Sequence, residues 1–406
     1  FEKSESGKVA YSLPPCDVPQ VEPSRVIPPK LIRQAEPRLP EISEPELVRH
    51  FVNLSVMNHH IDRDFYPLGS CTMKYNPKVG ESIARLEGFL NLHPHLPDEL
   101  CQGALAVIYE LGSLLCKITG MDEVTLMPAA GAHGELTGML MVRAYHEDHG
   151  NPRKKVLIPD SAHGTNPASV RIAGYQAVEI KSSRDGRISP ETLKEQLDED
   201  VAAIMITNPN TLGLFETHIC EIAKLVHSVG GLVYMDGANM NALLGIARPG
   251  DFGIDLVHLN LHKTFSTPHG GGGPGSGPVA VKKALAPYLP VPVIEKRDSR
   301  YVLVTKREKS IGRVHTFLGN FGVVLKAYAY VLMIGGEGLR KIAEHAIVNA
   351  NYLLARLRKS FTVPYDEICK HEFVLSNRDG QSSGVRTLDV AKRLMDYGFH
   401  PPTIYF

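Results

Sequence analysis

The sequence predicts an α/β fold, in which a mostly parallel, seven-stranded sheet carries helices on both faces and is followed by a smaller α+β domain. Seven short apolar segments alternate with helical patterns between residues 124 and 281. These segments are apolar almost without interruption, which is typical of strands buried on both faces in a parallel sheet. Ligands of such sheets bind at the carboxyl ends of the strands, in the loops that follow.

The elements can be predicted in chain order from apolar spacing and from the residues that begin or end helices. Pro45 is suited to the first position of a helix after Glu44, and Asp98 is a candidate N-cap for a helix that contains Leu105 and Leu111. The predicted strands are Val124–Met127, Val156–Pro159, Ala177–Ile180, Ala202–Thr207, Leu232–Met235, Leu256–Leu261 and Gly277–Val281. Further predicted helices are Glu135–His146, Pro190–Leu197, Ile219–Val229, Val323–Ile334, Gly335–Tyr352 and an amphipathic segment at 385–394.

Composition predicts three segments. Residues 1–45 hold nine prolines and little periodicity, so we expect an extended arm or a disordered tail. Residues 46–295 form the predicted large domain, and 296–406 the smaller one. The chain stops at Thr403-Ile-Tyr-Phe406, in a strand-like pattern, so we expect the smaller domain to be incomplete.

Charge and cysteine content exclude several classes of protein. The 44 Lys and Arg residues balance the 44 Asp and Glu residues, which argues against a nucleic-acid or anionic-membrane partner. No apolar run approaches the roughly 18 residues of a membrane span, and the N-terminus lacks a signal-peptide core. The six cysteines are scattered without a C-x-x-C pair, which favours a cytoplasmic protein with structural thiols.

The most informative stretch is Asp255–Phe265, which ends in His262-Lys263-Thr264 and precedes the glycine run Gly270–Gly273. A lysine at the mouth of a buried strand loses its proton at reduced cost and can attack aldehydes. Lys263 is therefore a candidate for a Schiff base with pyridoxal phosphate (PLP). The alternative is an ordinary lysine whose amino group reaches solvent beside a flexible loop.

Three other loops carry weaker indications. The segment Gly131-Ala-His-Gly opens a helix, where free backbone N–H groups favour a phosphate, although many α/β loops contain this spacing. His163 could lie flat on an aromatic ring or could simply bond within its own loop. Asn208 follows a buried strand and could approach a phenolic oxygen, but an ordinary turn would also explain it.

Asp236 ends another apolar strand, where an unpaired carboxylate is costly. The positive pyridine nitrogen of PLP would be a suitable partner, because their attraction is roughly 4 kcal/mol at about 4 Å and an effective dielectric constant near 20. Ala238 is small enough for the ring to rest against it. Metal binding is a rival use for the 18 histidines, but His93-x-His95 and Asp236 form no recognisable ligand set.

The order of these loops resembles that of fold-type-I PLP enzymes, the aspartate aminotransferase-like superfamily. Longer motifs resemble the glycine cleavage system P-protein family, the glycine dehydrogenases (decarboxylating), and Phe1-Glu-Lys-Ser resembles the second subunit of its split form. These motifs are Tyr66-Pro-Leu-Gly-Ser-Cys-Thr-Met-Lys-Tyr-Asn-Pro77, Pro128-Ala-Ala-Gly-Ala-His-Gly-Glu135, Asp160-Ser-Ala-His-Gly-Thr-Asn-Pro-Ala168, Asp236-Gly-Ala-Asn239, Leu261-His-Lys-Thr-Phe265 and His269-Gly-Gly-Gly-Gly-Pro-Gly-Ser-Gly-Pro278.

The resemblance implies a role for each residue of the PLP-binding domain. Lys263 would carry PLP, Asp236 would pair with the pyridine nitrogen, and His163 would stack on the ring and act in catalysis. Ala132 and His133 would lie at the phosphate, and Asn208 near the ring hydroxyl. The full set of predicted cofactor-binding residues is Lys263, Asp236, His163, Ala132, His133, Asn208, Ala238 and His262, with no metal ligand.

The resemblance also implies a reaction and partners. Glycine would lose CO2, and its aminomethyl group would pass to the lipoyl disulfide of the H-protein, with glycine dehydrogenase subunit 1 completing an α2β2 heterotetramer. Ser70, Cys71 and Thr72 would approach the site, Cys71 as a redox-sensitive thiol or a packing residue, and Arg313 is a candidate for binding the glycine carboxylate. Two alternatives remain: a fold-type-I amino-acid decarboxylase or desulfurase that needs no lipoyl carrier, and a non-catalytic paralogue.

Overall fold

The computed structural model describes residues 1–65, 67–68, 71–94, 96–269, 275–377 and 384–404, with the backbone only at 67–68 and 71–72. By the contacts among their residues, Phe1–Tyr66 and Pro67–Phe406 form two compact units. The predicted division of the chain at residues 45 and 295 is a different one and stays a prediction.

The first unit holds one α-helix among its described residues, α1 (Glu44–Val56), after two short 3-10 turns at Pro23–Arg25 and Pro29–Leu31. The predicted helix is present and begins at Glu44, so Pro45 is its second residue rather than its first. Ser43 donates hydrogen bonds to the Glu46 carboxylate from its backbone N–H (3.1 Å) and its hydroxyl (2.7 Å). The first of these satisfies a backbone N–H at the start of the helix. The hydrogen bonds from the Ser43 hydroxyl and N–H lower the pKa of Glu46 to about 2.

The described part of the second unit is built from nine α-helices, three short 3-10 helices (Asp98–Leu100, Pro249–Phe252 and Lys283–Tyr288) and eleven strands. The helices are α2 (Lys78–Ala84), α3 (Glu87–Leu90), α4 (Gln102–Thr119), α5 (Gly131–Asp148), α6 (Thr165–Ile172), α7 (Pro190–Gln196), α8 (Ile219–Ser228), α9 (Phe321–Leu357) and α10 (Thr387–Asp396). The strands are β1 (Pro67–Leu68), β2 (Cys71–Thr72), β3 (Glu123–Thr125), β4 (Lys155–Pro159), β5 (Gln176–Ile180), β6 (Val201–Thr207), β7 (Leu232–Gly237), β8 (Leu256–Leu259), β9 (Val279–Val281), β10 (Val293–Arg297) and β11 (Arg300–Val304).

Seven strands form one sheet in the order β3-β9-β8-β7-β6-β4-β5. The pairs among β8, β7, β6, β4 and β5 are parallel, and only β9 runs antiparallel to its two neighbours β3 and β8. This confirms the predicted seven-stranded, mostly parallel sheet. The pairs β1–β2 and β10–β11 are separate antiparallel hairpins, which the sequence did not predict.

Helices cover both faces of the sheet. Neighbouring residues of a strand therefore point into different hydrophobic cores. Ile204 on β6 packs in a core with Leu111 of α4 and Ile222 of α8. Its neighbour Met205 packs on the opposite face with Val142 of α5. The strands are therefore buried on both sides, as their continuous apolar sequence predicted.

One expected helix break is confirmed, and one predicted helix cap is wrong. The range α9 holds two helices that meet in a kink at Gly335 (φ 66°, ψ 175°), where the sequence predicted the end of Val323–Ile334 and the start of Gly335–Tyr352. The prediction that Asp98 caps the next helix is wrong. Cys101 precedes α4, and the Asp98 carboxylate accepts the backbone N–H of Leu303 at 2.8 Å instead.

Helix α9 is long and apolar enough to cross a membrane, on length and composition alone. Core helices share this property. Val323, Val324 and Leu325 of α9 are buried in the same core as α4 and α8. The helix is therefore weak evidence for a membrane span.

Candidate active site

The carboxyl ends of three adjacent parallel strands carry the predicted polar residues to one edge of the sheet. Thr207 at the end of β6 lies opposite Asp236 of β7, and Asp236 lies opposite His258 of β8. Asn208 follows β6 directly, and Lys263 follows the end of β8 by four residues. The topology therefore brings Asn208, Asp236 and Lys263 together, as their strand-end positions predicted.

Asp236 is a buried carboxylate, only 4% exposed, with a full set of polar neighbours. Its Oδ1 accepts the Ala238 N–H at 2.9 Å, and its Oδ2 accepts the amide of Asn166 at 3.2 Å. Burial opposes ionisation, but the attraction of His258, the Ala238 N–H, the Lys263 charge and the Asn166 amide outweigh it and hold the pKa of Asp236 below its ordinary value. The site thus presents a negative charge at the sheet edge.

His258 and Tyr234 support Asp236 from beneath, and sequence reasoning gave neither a role. The Tyr234 hydroxyl lies 2.7 Å from His258 Nδ1, and both residues are fully buried. Burial raises the pKa of Tyr234 well above its usual range, so its hydroxyl keeps its proton. His258 Nε2 lies 3.2 Å from Asp236 Oδ1, within ion-pair distance when the imidazole is protonated. A histidine inside an apolar strand was the only signal in the sequence.

Lys263 lies in a tight turn after β8. Its backbone N–H donates to the Asn260 carbonyl at 3.1 Å, and its own carbonyl accepts the Ser266 N–H at 3.1 Å. The next side chain, Thr264, is buried and accepts the Met240 N–H at 2.9 Å, which ties this turn to the segment after β7. The Lys263 side chain is half-buried, and its charge contributes to the low pKa of Asp236. The Lys263 ammonium group and the Asp236 carboxylate therefore attract one another electrostatically at this edge of the sheet.

His262 is a neutral imidazole at physiological pH. Burial, followed by the positive charge of His269 and Lys263, lowers the pKa of His262 to about 3. Its ring meets that of His269 edge-on, with centroids 4.7 Å apart. Its Nδ1 is buried and has no hydrogen-bond partner among the described residues. His262 can therefore offer a cofactor a neutral hydrogen bond but not a positive charge.

The N-terminus of α5 lies against the same edge through Asn260, which sequence reasoning missed. A Cβ at Gly131 would lie 2.5 Å from Asn260 Oδ1, so a side chain at this position would displace the Asn260 amide. Ala132 is exposed in the first turn, and His133 is half-buried beside His315, with ring centroids 6.0 Å apart. Burial and the nearby charge of His315 lower the pKa of His133. The free N–H groups and dipole of this 18-residue helix favour an anion there.

His163 lies in the loop between β4 and α6 and is exposed. Its Nδ1 lies 2.8 Å from the Thr165 hydroxyl, which donates in turn to the buried Glu135 of α5 at 2.8 Å. Asn166, the next residue, reaches Asp236. The start of α6 therefore places His163 and the Asp236 contact within four residues of one another.

Asn208 is fixed by the loop that follows it. Its Oδ1 accepts the backbone N–H of Glu216 at 3.0 Å. Its Nδ2 is buried without a hydrogen-bond partner in the described ranges, so the amide is an available donor. The Glu216 carboxylate accepts the Ile188 N–H at 3.2 Å and lies 3.4 Å from the amide of Asn210.

The burial of Glu216 predicts a pH-dependent stability. Desolvation raises the pKa of Glu216 from 4.5 to about 7. The folded chain then holds this proton to a higher pH than the unfolded chain, so the free energy of unfolding falls as pH rises from about 4.5 to about 7, by at most about 3 kcal/mol. We expect Glu216→Gln to flatten this fall when urea unfolding is measured at several pH values between about 5 and 8.

The matched control for Glu216 is Glu191→Gln. Glu191 is exposed, and its hydrogen bond from Ser189 lowers its pKa, so it titrates below this pH range. The free energy of unfolding of Glu191→Gln should therefore change with pH as it does in the unmodified chain. If that of Glu216→Gln did so as well, the assignment of the pH dependence to Glu216 would be contradicted.

Several predicted residues lie outside what the structure describes or remain untested. Ser70 and the glycine run at 270–273 lie outside the described residues, as do the side chains of Cys71 and Thr72. Arg313 is exposed, and its guanidinium lies 3.4 Å from the Phe317 carbonyl. Its role toward a carboxylate stays a prediction.

Metal binding has one candidate cluster among the described residues. Ligand atoms of Glu135, Asp236 and His258 lie within 4.8 Å of one another. Both oxygens of Glu135, however, already accept hydroxyl groups, from Thr165 and from Ser169. His93 lies elsewhere in the chain, and His95 lies outside the described residues.

The residues present fit PLP well. Asn208 Nδ2, which has no hydrogen-bond partner in the part of the chain that the structure describes, is a donor suited to a phenolic oxygen, and the buried charge of Asp236 is suited to a protonated pyridine nitrogen. The N-terminus of α5 is suited to a phosphate. Lys263, whose charge acts on Asp236, is the candidate for covalent attachment.

Comparison with known proteins points the same way. The family model described as glycine cleavage system P-protein matches residues 21–399. Proteins named probable glycine dehydrogenase (decarboxylating) subunit 2 are similar over the whole chain: the one from Caldanaerobacter subterraneus subsp. tengcongensis is 58% identical, with 84% of its length covered. The one from Chloroherpeton thalassium is 59% identical, with 83% covered.

Solved structures share the fold. A crystal structure of glycine decarboxylase (P-protein) of the glycine cleavage system, in inhibitor-bound form, matches with a TM-score of 0.76 at 24% identity, covering 94% of this chain and 86% of the other. The structure of Oryza sativa TDC with PLP and tryptamine matches with a TM-score of 0.66 at 14% identity, covering 94% and 84%. These likenesses confirm the predicted fold-type-I architecture.

Proposed function

The chain belongs to the glycine cleavage system P-protein family, and we propose that it is the PLP-dependent second subunit of a glycine dehydrogenase (decarboxylating). The observation that carries this proposal is Lys263 placed beside the buried carboxylate of Asp236 at the carboxyl edge of the sheet. A nucleophilic lysine and a fixed negative charge are the two groups that PLP chemistry demands of its protein.

The reaction proposed is decarboxylation of glycine with transfer of its aminomethyl group to a lipoyl disulfide. The bond between the two glycine carbons breaks, and the carboxylate leaves as CO2. The electron pair of that bond joins the amino-bearing carbon to one sulfur, and the S–S bond breaks. Glycine is oxidised and the disulfide is reduced, and a proton from the glycine ammonium group ends on the second sulfur.

The residues of the chain divide the work of binding and orientation. When bound, PLP supplies an electron sink for the pair left by the departing carboxylate. Lys263 Nζ holds the cofactor, and Asp236, supported by His258, provides the charge that keeps a pyridine nitrogen protonated. The α5 N-terminus binds the phosphate, and Asn208 Nδ2 orients the ring through its hydroxyl. His163, at the exposed side, is suited to stack on the ring and to carry a proton.

The proposed partners follow from the reaction and from the relatives' name. A lipoylated H-protein supplies the disulfide, and glycine dehydrogenase subunit 1 joins this chain in an α2β2 heterotetramer. The scattered cysteines, five of which are free among the described residues, support a cytoplasmic location. Sizing of the co-expressed subunits tests the assembly: a fully active chain that elutes alone would count against the heterotetramer.

The function is tested by release of labelled CO2 from carboxyl-labelled glycine. PLP, the lipoylated carrier and the companion subunit are each omitted in turn. We expect release to require all three. Release from this chain and PLP alone would favour a self-sufficient amino-acid decarboxylase. Absence of release in every mixture, with PLP bound, would refute glycine as the substrate.

A further inference from the structure

A buried carboxylate is connected to His163 through a single hydroxyl group. Glu135 on α5 is 3% exposed. Its Oε1 accepts the Thr165 hydroxyl at 2.8 Å, and its Oε2 accepts the Ser169 hydroxyl at 3.0 Å. The Thr165 oxygen lies 2.8 Å from His163 Nδ1. The series Glu135–Thr165–His163 thus leads from the core to the exposed ring.

The protons of this series can be counted. Thr165 has one hydroxyl proton, and it is donated to Glu135. The contact between Thr165 Oγ1 and His163 Nδ1 is then a hydrogen bond only if Nδ1 carries a proton and donates it. Both Glu135 oxygens accept from hydroxyl groups, which suits a carboxylate, since a carboxylic acid would have to donate from one of them.

A second contact competes with this assignment. The backbone N–H of Thr165 lies 3.2 Å from His163 Nδ1 and would require a lone pair there. The hydroxyl contact is shorter by 0.4 Å (3.2 against 2.8 Å) and is linked to a charged acceptor, and hydrogen bonds linked to charge are the stronger ones. The Nδ1–H form is therefore the favoured tautomer.

We propose that Glu135 and Thr165 are positioning residues that hold His163 as its Nδ1–H tautomer. The lone pair is then on Nε2, and Nε2 is the His163 atom that can accept a proton. Thr165 is the first residue of α6, and the neighbouring Asn166 bonds to Asp236, so the same turn aligns His163 with the buried carboxylate. The catalytic consequence rests on the proposed function: Nε2 would take up the proton that the glycine ammonium group releases.

The tautomer can be measured without turnover. The full-length protein is labelled with 15N-histidine, and proton–nitrogen correlations distinguish a protonated from an unprotonated ring nitrogen. The His163 signal is the one absent from the His163→Gln variant. We expect Nδ1 protonated and Nε2 unprotonated, with and without PLP. An unprotonated Nδ1 in the unmodified protein would overturn the proposal.

Three variants and one control separate positioning from packing. Thr165→Val removes the hydroxyl at nearly constant volume. Glu135→Gln supplies an amide that can donate to Thr165 Oγ1, so the Thr165 hydroxyl can donate to His163 Nδ1 instead. In both variants the ring proton of His163 should move from Nδ1 to Nε2. Thr165→Ser should restore the original form. Ser169→Ala removes the other hydroxyl from Glu135 and should leave the tautomer unchanged. A tautomer unaffected by Thr165→Val would overturn the proposal.

Turnover provides an independent measurement. Loss of a correctly held proton acceptor should lower kcat for CO2 release by about 10- to 100-fold in Thr165→Val, with the KM for glycine changed by less than about threefold. The reverse pattern, a raised KM with unchanged kcat, would overturn the positioning role. A protein that shows the expected tautomers but no glycine cleavage would refute the proposed function and leave the assignment of His163 standing.

Discussion

Replacement of Lys263 by alanine is expected to abolish covalent attachment of PLP and to lower the rate of CO2 release from glycine by at least about 10³-fold. Lys263 is the half-buried lysine whose charge acts on Asp236, and it is held in the turn after β8 by backbone hydrogen bonds to Asn260 and Ser266. A covalent nucleophile has no replacement in its own site. Borohydride reduction followed by peptide mass spectrometry should find PLP on the peptide that contains Lys263, and on no peptide of the variant.

Two further substitutions show whether the lysine acts as a nucleophile or as a charge. Lys263→Arg keeps a positive charge near Asp236, so the fold and the carboxylate should be retained while attachment is lost. Lys154→Ala removes a surface lysine, 75% exposed and paired with Asp200, and should behave as the unmodified protein. Attachment of PLP to Lys263→Arg, or at another lysine in the unmodified chain, would contradict the assignment.

The fold and the centre of the site could be predicted because both follow from local pattern. Continuous apolar strands predicted a parallel sheet, and parallel strands place their carboxyl ends at one edge. This is why Asn208, Asp236 and Lys263 were predicted together and lie together. Their neighbours could not be found in the same way, because His258 meets Asp236 only through the register of β7 against β8.

Other misses have the same origin in long-range contacts. Glu135 lies inside a motif that was recognised, but its contacts with Thr165 and Ser169 depend on how α5 packs on α6. Asp98 has the right chemistry for an N-cap, yet its carboxylate meets the N–H of Leu303, 205 residues away. The hairpin β10–β11 was missed because mixed charged and apolar residues after position 295 did not alternate clearly. Local propensity is overridden wherever a distant partner offers a better hydrogen bond.

Replacement of Asp236 by asparagine is expected to lower kcat for decarboxylation by roughly 10³-fold. Asparagine keeps the shape of the side chain and an oxygen for the Ala238 N–H, but it removes the charge that would face a pyridine nitrogen. Attraction of about 4 kcal/mol between unit charges at about 4 Å, with an effective dielectric constant near 20, corresponds to about three powers of ten. The matched control is Tyr234→Phe, which removes one hydrogen bond to His258 and leaves the carboxylate, so its loss should stay below about tenfold.

The partner of that charge can be identified with an analogue of PLP in which carbon replaces the pyridine nitrogen. If Asp236 acts through that nitrogen, the unmodified protein loaded with the analogue should lose activity to about the same degree as Asp236→Asn loaded with PLP. Asp236→Asn loaded with the analogue should then lose nothing more, because both changes remove the same interaction. Losses that add would instead mean that Asp236 acts through His258 or Asn166 on the shape of the site. The buried carboxylate would then be a structural group rather than the partner of the cofactor.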